Sequence, residues 1–149
     1  MIVRASDFFT QEEKEQLKQC ILEAEQNTSG EIRIHVETFF SGDVLDRAAN
    51  VFARLNMHKT ALRNGVLFYL AIENKQYAVL GDIGINSVVP GDFWNEVKAL
   101  LEEHFRNSRF SQGLCLAIRM AGEQLKRNFP RQQDDINELP NEITFDQVE

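Results

Sequence analysis

The chain has 149 residues, of which 43% are hydrophobic and 26% are charged, and its formal net charge is −7. This length predicts one domain with a buried core, and the composition excludes collagen-like, wholly disordered and disulfide-scaffold proteins. The negative charge argues against nucleic acid binding, which needs a basic surface. The sequence has no apolar run of the roughly 18 residues that span a bilayer, and residues 1–7 lack the features of a secretory signal peptide. We therefore expect no membrane insertion and a cytoplasmic location.

The first part of the chain predicts a helix, a strand and a second helix. Thr10 and Glu13 match a capping box, which marks the start of the first helix. Residues 32–36 alternate between apolar and polar side chains, which is typical of a strand with unlike faces. Asp43 then precedes a second helix, which carries an apolar stripe along one side.

The middle of the chain predicts a hairpin followed by two long helices. Residues 65–72 are apolar without alternation, as expected of a central strand that is covered on both faces. A short polar connection joins them to residues 77–80, which indicates an antiparallel partner strand. One helix begins after Asp92, and another runs from about residue 111 to residue 128, before Pro130.

These elements predict an α/β fold, a three-layer α/β/α sandwich with a small mixed sheet and helices on both faces, over residues 1–130. The helix between the first two strands favours parallel pairing of those strands. Residues 131–149 contain six acidic residues against one basic residue and have no hydrophobic period. We expect this acidic tail to be disordered.

Three aspartates are candidate metal ligands. In open α/β sheets, ligands bind beyond the carboxyl ends of the strands, and the loops there contain Asp43, Asp46 and Asp82. Carboxylate oxygens are the ligands that Ca²⁺ and Mg²⁺ prefer, so one of these cations is the cofactor that we consider. The alternative is structural, with Asp43 as a helix cap and Asp82 as a turn residue.

Other chemistry has less support in the sequence. His35 lies on the polar side of its strand and is interpreted as a hydrogen-bonded structural histidine. Cys20 and Cys115 stand in no metal or redox motif, which favours two small buried side chains over a disulfide. The chain has no G-x-S-x-G nucleophile elbow, and the loop at residues 81–84 lacks the lysine of a phosphate-binding loop.

Five segments, in this order and spacing, resemble the TPM domain family, over roughly residues 7–130. They are Phe8-Phe9-Thr10, Gly30-Glu31-Ile32-Arg33-Ile34, Asn64-Gly65-Val66-Leu67-Phe68, Ala78-Val79-Leu80-Gly81-Asp82 and Phe110-Ser111-Gln112-Gly113-Leu114. The resemblance implies a three-layer α/β fold. Asn64 stands where an aspartate is common in the family, and Leu80-Gly81-Asp82-Ile83-Gly84-Ile85 departs from the usual V-G-x-G-L segment.

The family resemblance also implies a choice of functions. One member is described as an acid phosphatase of the thylakoid lumen, divalent metal is associated with an acidic cleft, and other members act in assembly or modulation, as in photosystem II repair. We expect a short soluble member that binds a protein partner through a non-catalytic interaction or assembly role. The alternatives are a metal-assisted phosphomonoester hydrolase, with a cation at Asp43, Asp46 or Asp82, and small-ligand binding without turnover. The acidic tail is a candidate contact segment.

Overall fold

A computed structural model describes residues 3–131 and 143–146 of the chain. The sheet has four strands, in the order β3-β2-β1-β4: β1 (Glu31–Glu37), β2 (Gly65–Ala71), β3 (Gln76–Gly81) and β4 (Ile143–Phe145). The helices are α1 (Ala5–Phe8), α2 (Gln11–Glu25), α3 (Val44–Arg54), α4 (Ile83–Asn86), α5 (Phe93–Arg106) and α6 (Phe110–Asn128), with a 3₁₀ turn at Met57–Lys59. In this part of the chain, no helix combines the length and the apolar character needed to cross a membrane.

Strand β2 lies in the middle of the sheet, and all seven of its residues are buried. It pairs in parallel with β1, from Glu31 opposite Gly65 to Glu37 opposite Ala71. It also pairs antiparallel with β3, where Val66 lies opposite Gly81. The sequence predictions of a central strand, a parallel neighbour and a hairpin are confirmed.

Two apolar clusters cover the two faces of the sheet. Apolar residues of β1 such as Ile34 form one cluster with α2, α5 and α6. On the other face, α3 and the 3₁₀ turn contribute Phe52 and Met57, which join Leu67 and Tyr69 of β2. The three-layer α/β arrangement is therefore confirmed. Because helices cover both faces, the polar side chains of β1 are buried as well as its apolar ones.

Part of the expected tail belongs to the sheet. Ile143–Phe145 form β4, which pairs in parallel with β1 from Ile34 to Val36. The disorder expected for the tail therefore does not hold at residues 143–146, because a three-residue strand is too short to show a period in sequence. Residues 132–142 and 147–149 of the acidic tail lie outside the described residues.

The two cysteines form a disulfide bond, so the prediction of two separate thiols is wrong. Cys20 of α2 and Cys115 of α6 are 95 residues apart in sequence, and their Cα atoms are 5.7 Å apart. Sequence spacing does not reveal this pair, because only the packing of α2 on α6 brings the two side chains together.

Candidate functional site

Asp43 and Asp46 lie where the sequence predicts them, at the start of α3 and beyond the carboxyl end of β1. Both are exposed. Asp43 is the helix cap, since its Oδ2 accepts hydrogen bonds from the backbone N–H groups of Leu45 and Asp46, at 3.0 and 3.1 Å. The structural alternative is therefore confirmed for Asp43.

Asp82 lies at the opposite end of the strands from Asp43 and Asp46. Strand β3 runs antiparallel to β2, so its last residue lies beside the start of β2, and Asp82 N donates to Gly65 O at 2.9 Å. The length of β2 separates the two ends of the sheet by about 20 Å. The hairpin therefore carries Asp82 away from Asp43 and Asp46, and the structure does not bring the three carboxylates together.

The carboxylate of Asp82 is already occupied by a cationic side chain. Arg63 Nε donates to Oδ2 at 2.7 Å and Arg63 Nη2 donates to Oδ1 at 2.8 Å, while Ile83 N donates to Oδ1 at 2.8 Å. The three aspartates therefore do not fit a shared Ca²⁺ or Mg²⁺. Within the described residues, no group of three or more His, Cys, Asp or Glu side chains could hold a metal ion.

A second polar group lies buried at the carboxyl end of β1. The Glu37 carboxylate accepts hydrogen bonds from Arg47 Nε, at 2.8 Å, from Arg47 Nη2 and from the hydroxyl of Tyr69. Burial alone would raise the pKa of Glu37, but the hydrogen bonds from Arg47, His35 and Tyr69 outweigh it and lower this pKa to about 2. Burial also raises the pKa of the Tyr69 hydroxyl above its usual range. This group therefore holds a charge pair in which the acid is buried and Arg47 is partly exposed.

His35 is fully buried beside this group, as the interpretation of a structural histidine requires. Its Nδ1 lies 2.6 Å from Thr144 Oγ1, and its Nε2 lies 3.1 Å from the carbonyl oxygen of Asp146. The two ring nitrogens therefore contact Thr144 of β4 and Asp146 directly after it, which the sequence did not predict.

The opposite end of β1 carries a different buried acid. Glu25 Oε2 accepts a hydrogen bond of 2.6 Å from Ile32 N. Burial, with a smaller contribution from the charge of Glu31, raises the pKa of Glu25 to about 8. Nearby, Asn64 Oδ1 is buried and has no hydrogen-bond partner among the described residues. Burial therefore disfavours the charged form of Glu25 at this end of β1.

A cleft of about 730 Å³ opens beside the carboxyl end of β2. Four aromatic rings from four different elements line it and contact one another in a row: Phe8 to Phe110 (4.9 Å between centroids), Phe110 to Phe105 (5.2 Å) and Phe105 to Tyr77 (5.1 Å). All four are partly exposed. We call this set the aromatic row.

Charged side chains surround the cleft without closing it. Lys75, Glu102 and Arg106 line its margin, and Glu102 pairs with Arg106 at 3.3 Å. Lys75 has no ion-pair partner in the described part of the chain. The cleft therefore combines an apolar floor with one available cation.

The sequence did not single out any of these four aromatic residues as site residues. Phe8 and Phe110 do stand in two of the segments that carry the family resemblance. That signal marks them as notable, but only the packing of α1 on the α5–α6 connection shows that they meet. The close approach of α6 to α5 depends on Gly113, where a Cβ would lie 2.7 Å from His104 Cβ.

Comparisons with known proteins place this architecture in a family. The NMR structure of the BA42 protein from the psychrophilic bacterium Bizionia argentinensis is 46% identical, covers 93% of this chain and 95% of its own, and superposes with a TM-score of 0.86. The solution NMR structure of an N-terminal domain from P. gingivalis is 12% identical over 82% of this chain and 79% of its own, with a TM-score of 0.62, and it shows the fold alone. No curated protein matches the chain. The profile of the TPM domain matches residues 2–124, and the chain belongs to the TPM domain family.

Proposed function

We propose that this TPM domain is a protein-interaction module whose binding site is the cleft beside β2. The observation that supports this proposal is the aromatic row. Its four partly exposed rings contact one another and line an open cleft. Aromatic side chains bury a large apolar area with few rotatable bonds, and they are enriched at protein interfaces. An apolar side chain of a partner would cover the row and displace water from it.

The margin of the cleft indicates the chemistry of the partner. Arg106 is paired with Glu102, which leaves the charge of Lys75 available at the entrance. A carboxylate on the partner would complement this cation, while an apolar residue beside it would enter the cleft. We therefore expect the partner to present a segment with a large apolar residue next to an acidic one.

Selection of peptides from a random displayed library on the immobilised full chain tests the proposal. We expect enriched peptides with an aromatic or large aliphatic residue beside Asp or Glu. Gln76→Trp would fill the cleft from β3, where a tryptophan is compatible with the strand, and it should weaken these peptides at least about tenfold. Lys75→Glu should weaken the acidic peptides by a similar factor.

Lys126→Glu is the matched control. Lys126 is exposed and lies near the end of α6, about 24 Å along the helix from Phe110. This variant makes the same charge change as Lys75→Glu and should leave peptide affinity unchanged. Peptides that bind Gln76→Trp and Lys75→Glu as tightly as the original chain would refute the cleft as the binding site.

Metal-assisted phosphomonoester hydrolysis is the second candidate, and family membership is what favours it. Its cofactor would be Ca²⁺ or Mg²⁺. Because Asp82 pairs with Arg63 and lies at the other end of the strands from Asp43 and Asp46, these residues do not fit one cation, and we derive no reaction step from them.

A further inference from the structure

The outer edge of β1, on the side away from β2, is a second recognition surface. Strand β4 covers it only from Ile34 to Val36, which is three of the seven residues of β1. Asp146 N extends the pairing by donating to Val36 O at 2.8 Å. Towards the other end, Ile32 N is already bound by the Glu25 carboxylate. The part of the edge that pairs with the C-terminal segment therefore runs from Ile34 to Thr38.

Side chains of the domain contact three consecutive residues, namely Thr144 and Phe145 of β4 and Asp146 directly after it. His35 Nδ1 contacts Thr144 Oγ1 at 2.6 Å, and the ammonium of Lys14 lies 5.0 Å from the centre of the Phe145 ring. The carboxylate of Asp146 accepts hydrogen bonds from Thr38 N, at 2.6 Å, and from Thr38 Oγ1, at 3.0 Å. Backbone pairing supplies affinity at such an edge, and these side-chain contacts supply specificity.

The acceptor side of this contact is held firmly by the fold. His35 is completely buried, its Nε2 lies 3.6 Å from Glu37 Oε2, and its ring stacks on Tyr69 with centroids 6.2 Å apart. Ala5 N donates to Thr38 Oγ1 at 2.9 Å. The strand that occupies the edge is less enclosed, since all three of its residues are only partly buried. The acceptor side chains are thus held by contacts within the domain itself, whereas the strand that they contact is partly exposed.

The length of the connection allows a different copy to supply the strand. Arg131 N is fixed to Asn27 O near the start of β1, and Ile143 lies opposite Ile34. The twelve peptide units between Arg131 and Ile143 can span about 40 Å when extended, far more than this path requires. Tethering gives the chain's own strand an effective concentration of millimolar order, so exchange needs either a crowded solution or a weakened tether.

We propose that the edge of β1 from Ile34 to Thr38 is a strand-acceptor site, and that it takes residues 143–146 from a second copy of this chain when the chain's own strand cannot reach it. The second copy is the occupant because its strand carries each group that the acceptor recognises, namely the Thr144 hydroxyl, the Phe145 ring and the Asp146 carboxylate. Exchange of an identical element needs no new contacts. The site is separate from the aromatic cleft and does not depend on the proposed function.

Shortening the connection tests the proposal directly. Deletion of residues 133–142 leaves one residue between Arg131 and Ile143, and this connection spans at most about 7 Å. Strand β1 alone advances about 10 Å from Glu31 to Ile34, so the strand can no longer reach its own domain. We expect the shortened chain to sediment as a dimer. The matched control replaces the same ten residues with ten Gly and Ser residues, and it should remain a monomer at the same concentration.

A second measurement tests the strand-acceptor site even if the shortened chain does not fold. A labelled peptide of residues 141–149 is titrated into the full chain and into its Asp146→Asn variant, whose own strand binds less well. We expect the variant to bind the peptide at least about tenfold more tightly, because its internal competitor is weaker. A peptide that itself carries Asp146→Asn should bind at least about tenfold less tightly than the unmodified peptide.

Two results would overturn the proposal. One is a shortened chain that folds but stays monomeric. The other is a peptide whose affinity is the same for the full chain and the variant, or is unchanged by its own Asp146→Asn substitution. Because the Gln76→Trp variant blocks the cleft and leaves the edge of β1 intact, equal peptide binding to this variant separates the strand-acceptor site from the cleft.

Discussion

Glu25 and Glu37 are both buried, yet their pKa values move in opposite directions. Burial dominates at Glu25, and the pKa rises to about 8. At Glu37, burial is outweighed by the hydrogen bonds from Arg47, His35 and Tyr69, and the pKa falls to about 2. The sequence alone predicts neither pKa shift, because the pKa of a glutamate depends on the neighbours that the fold places around it.

These two shifts predict a free energy of unfolding that is greatest near pH 5. Glu25 favours the folded state below its unfolded pKa, and this contribution is lost as the pH rises towards 8. Glu37 contributes above its unfolded pKa, and its contribution is lost as the pH falls towards 2. Each slope is at most about 1.4 kcal/mol per pH unit.

Denaturant unfolding between pH 3 and pH 8 measures how the free energy of unfolding of Glu25→Gln and Glu37→Gln depends on pH. This range covers most of the interval between the two shifted pKa values. Glu25→Gln should flatten the curve above pH 5, since a neutral amide can still accept from Ile32 N. Glu37→Gln should flatten the acid side. Glu23→Gln, on the exposed face of α2, is the control and should leave the curve unchanged. Equal pH profiles for Glu25→Gln and this control would refute the assignment to Glu25.

At the scale of elements, α2 and α6 pack together and are joined by the Cys20–Cys115 bond. The apolar spacing of each helix was readable in the sequence, as were the capping box at Thr10 and the end of α6 before Pro130. The short helices α1 and α4 and the strand β4 were not. Their three or four residues are fewer than one period of a pattern, so tertiary contacts alone stabilise them.

The disulfide should make stability depend on redox conditions. Linking residues that are 95 positions apart restricts the unfolded chain, and such bonds typically contribute about 2–4 kcal/mol. We expect dithiothreitol to lower the Tm of the original chain and to leave the Cys20→Ala, Cys115→Ala double variant unaffected. Two thiols that react with Ellman's reagent in the unreduced, unfolded chain would show that the bond is not formed.

At the scale of the whole molecule, the hairpin determines which loops can cooperate. Because β3 runs back along β2, Asp82 lies at the opposite end of the strands from Asp43 and Asp46. There its carboxylate pairs with Arg63. The cleft forms at the carboxyl end of β2 instead, where α1 and the α5–α6 connection meet the hairpin. The arrangement therefore favours ligand binding in the cleft at the carboxyl end of β2. It also favours a structural role for Asp82.

Hydrolysis of p-nitrophenyl phosphate with Ca²⁺ or Mg²⁺ tests the alternative at this scale. We expect no hydrolysis that depends on Asp43, Asp46 or Asp82, whereas Asp82→Asn should lower the Tm, because it removes the negative charge that pairs with Arg63. Asp46→Asn is the matched control for stability, since Asp46 is exposed. Metal-dependent turnover that is abolished by a chelator and reduced by each of the three Asn substitutions would favour the hydrolase over the interaction module.

The sequence by itself determined the long elements, the central position of residues 65–72, the hairpin and the three-layer arrangement, because each depends on hydrophobic periods and turn residues that lie close together in the chain. Only the tertiary structure decided the disulfide, the docking of β4 on His35 and Thr38, and the aromatic row. Each of these joins residues that are distant in sequence, and local patterns hold no information about which distant residues the packed fold brings into contact.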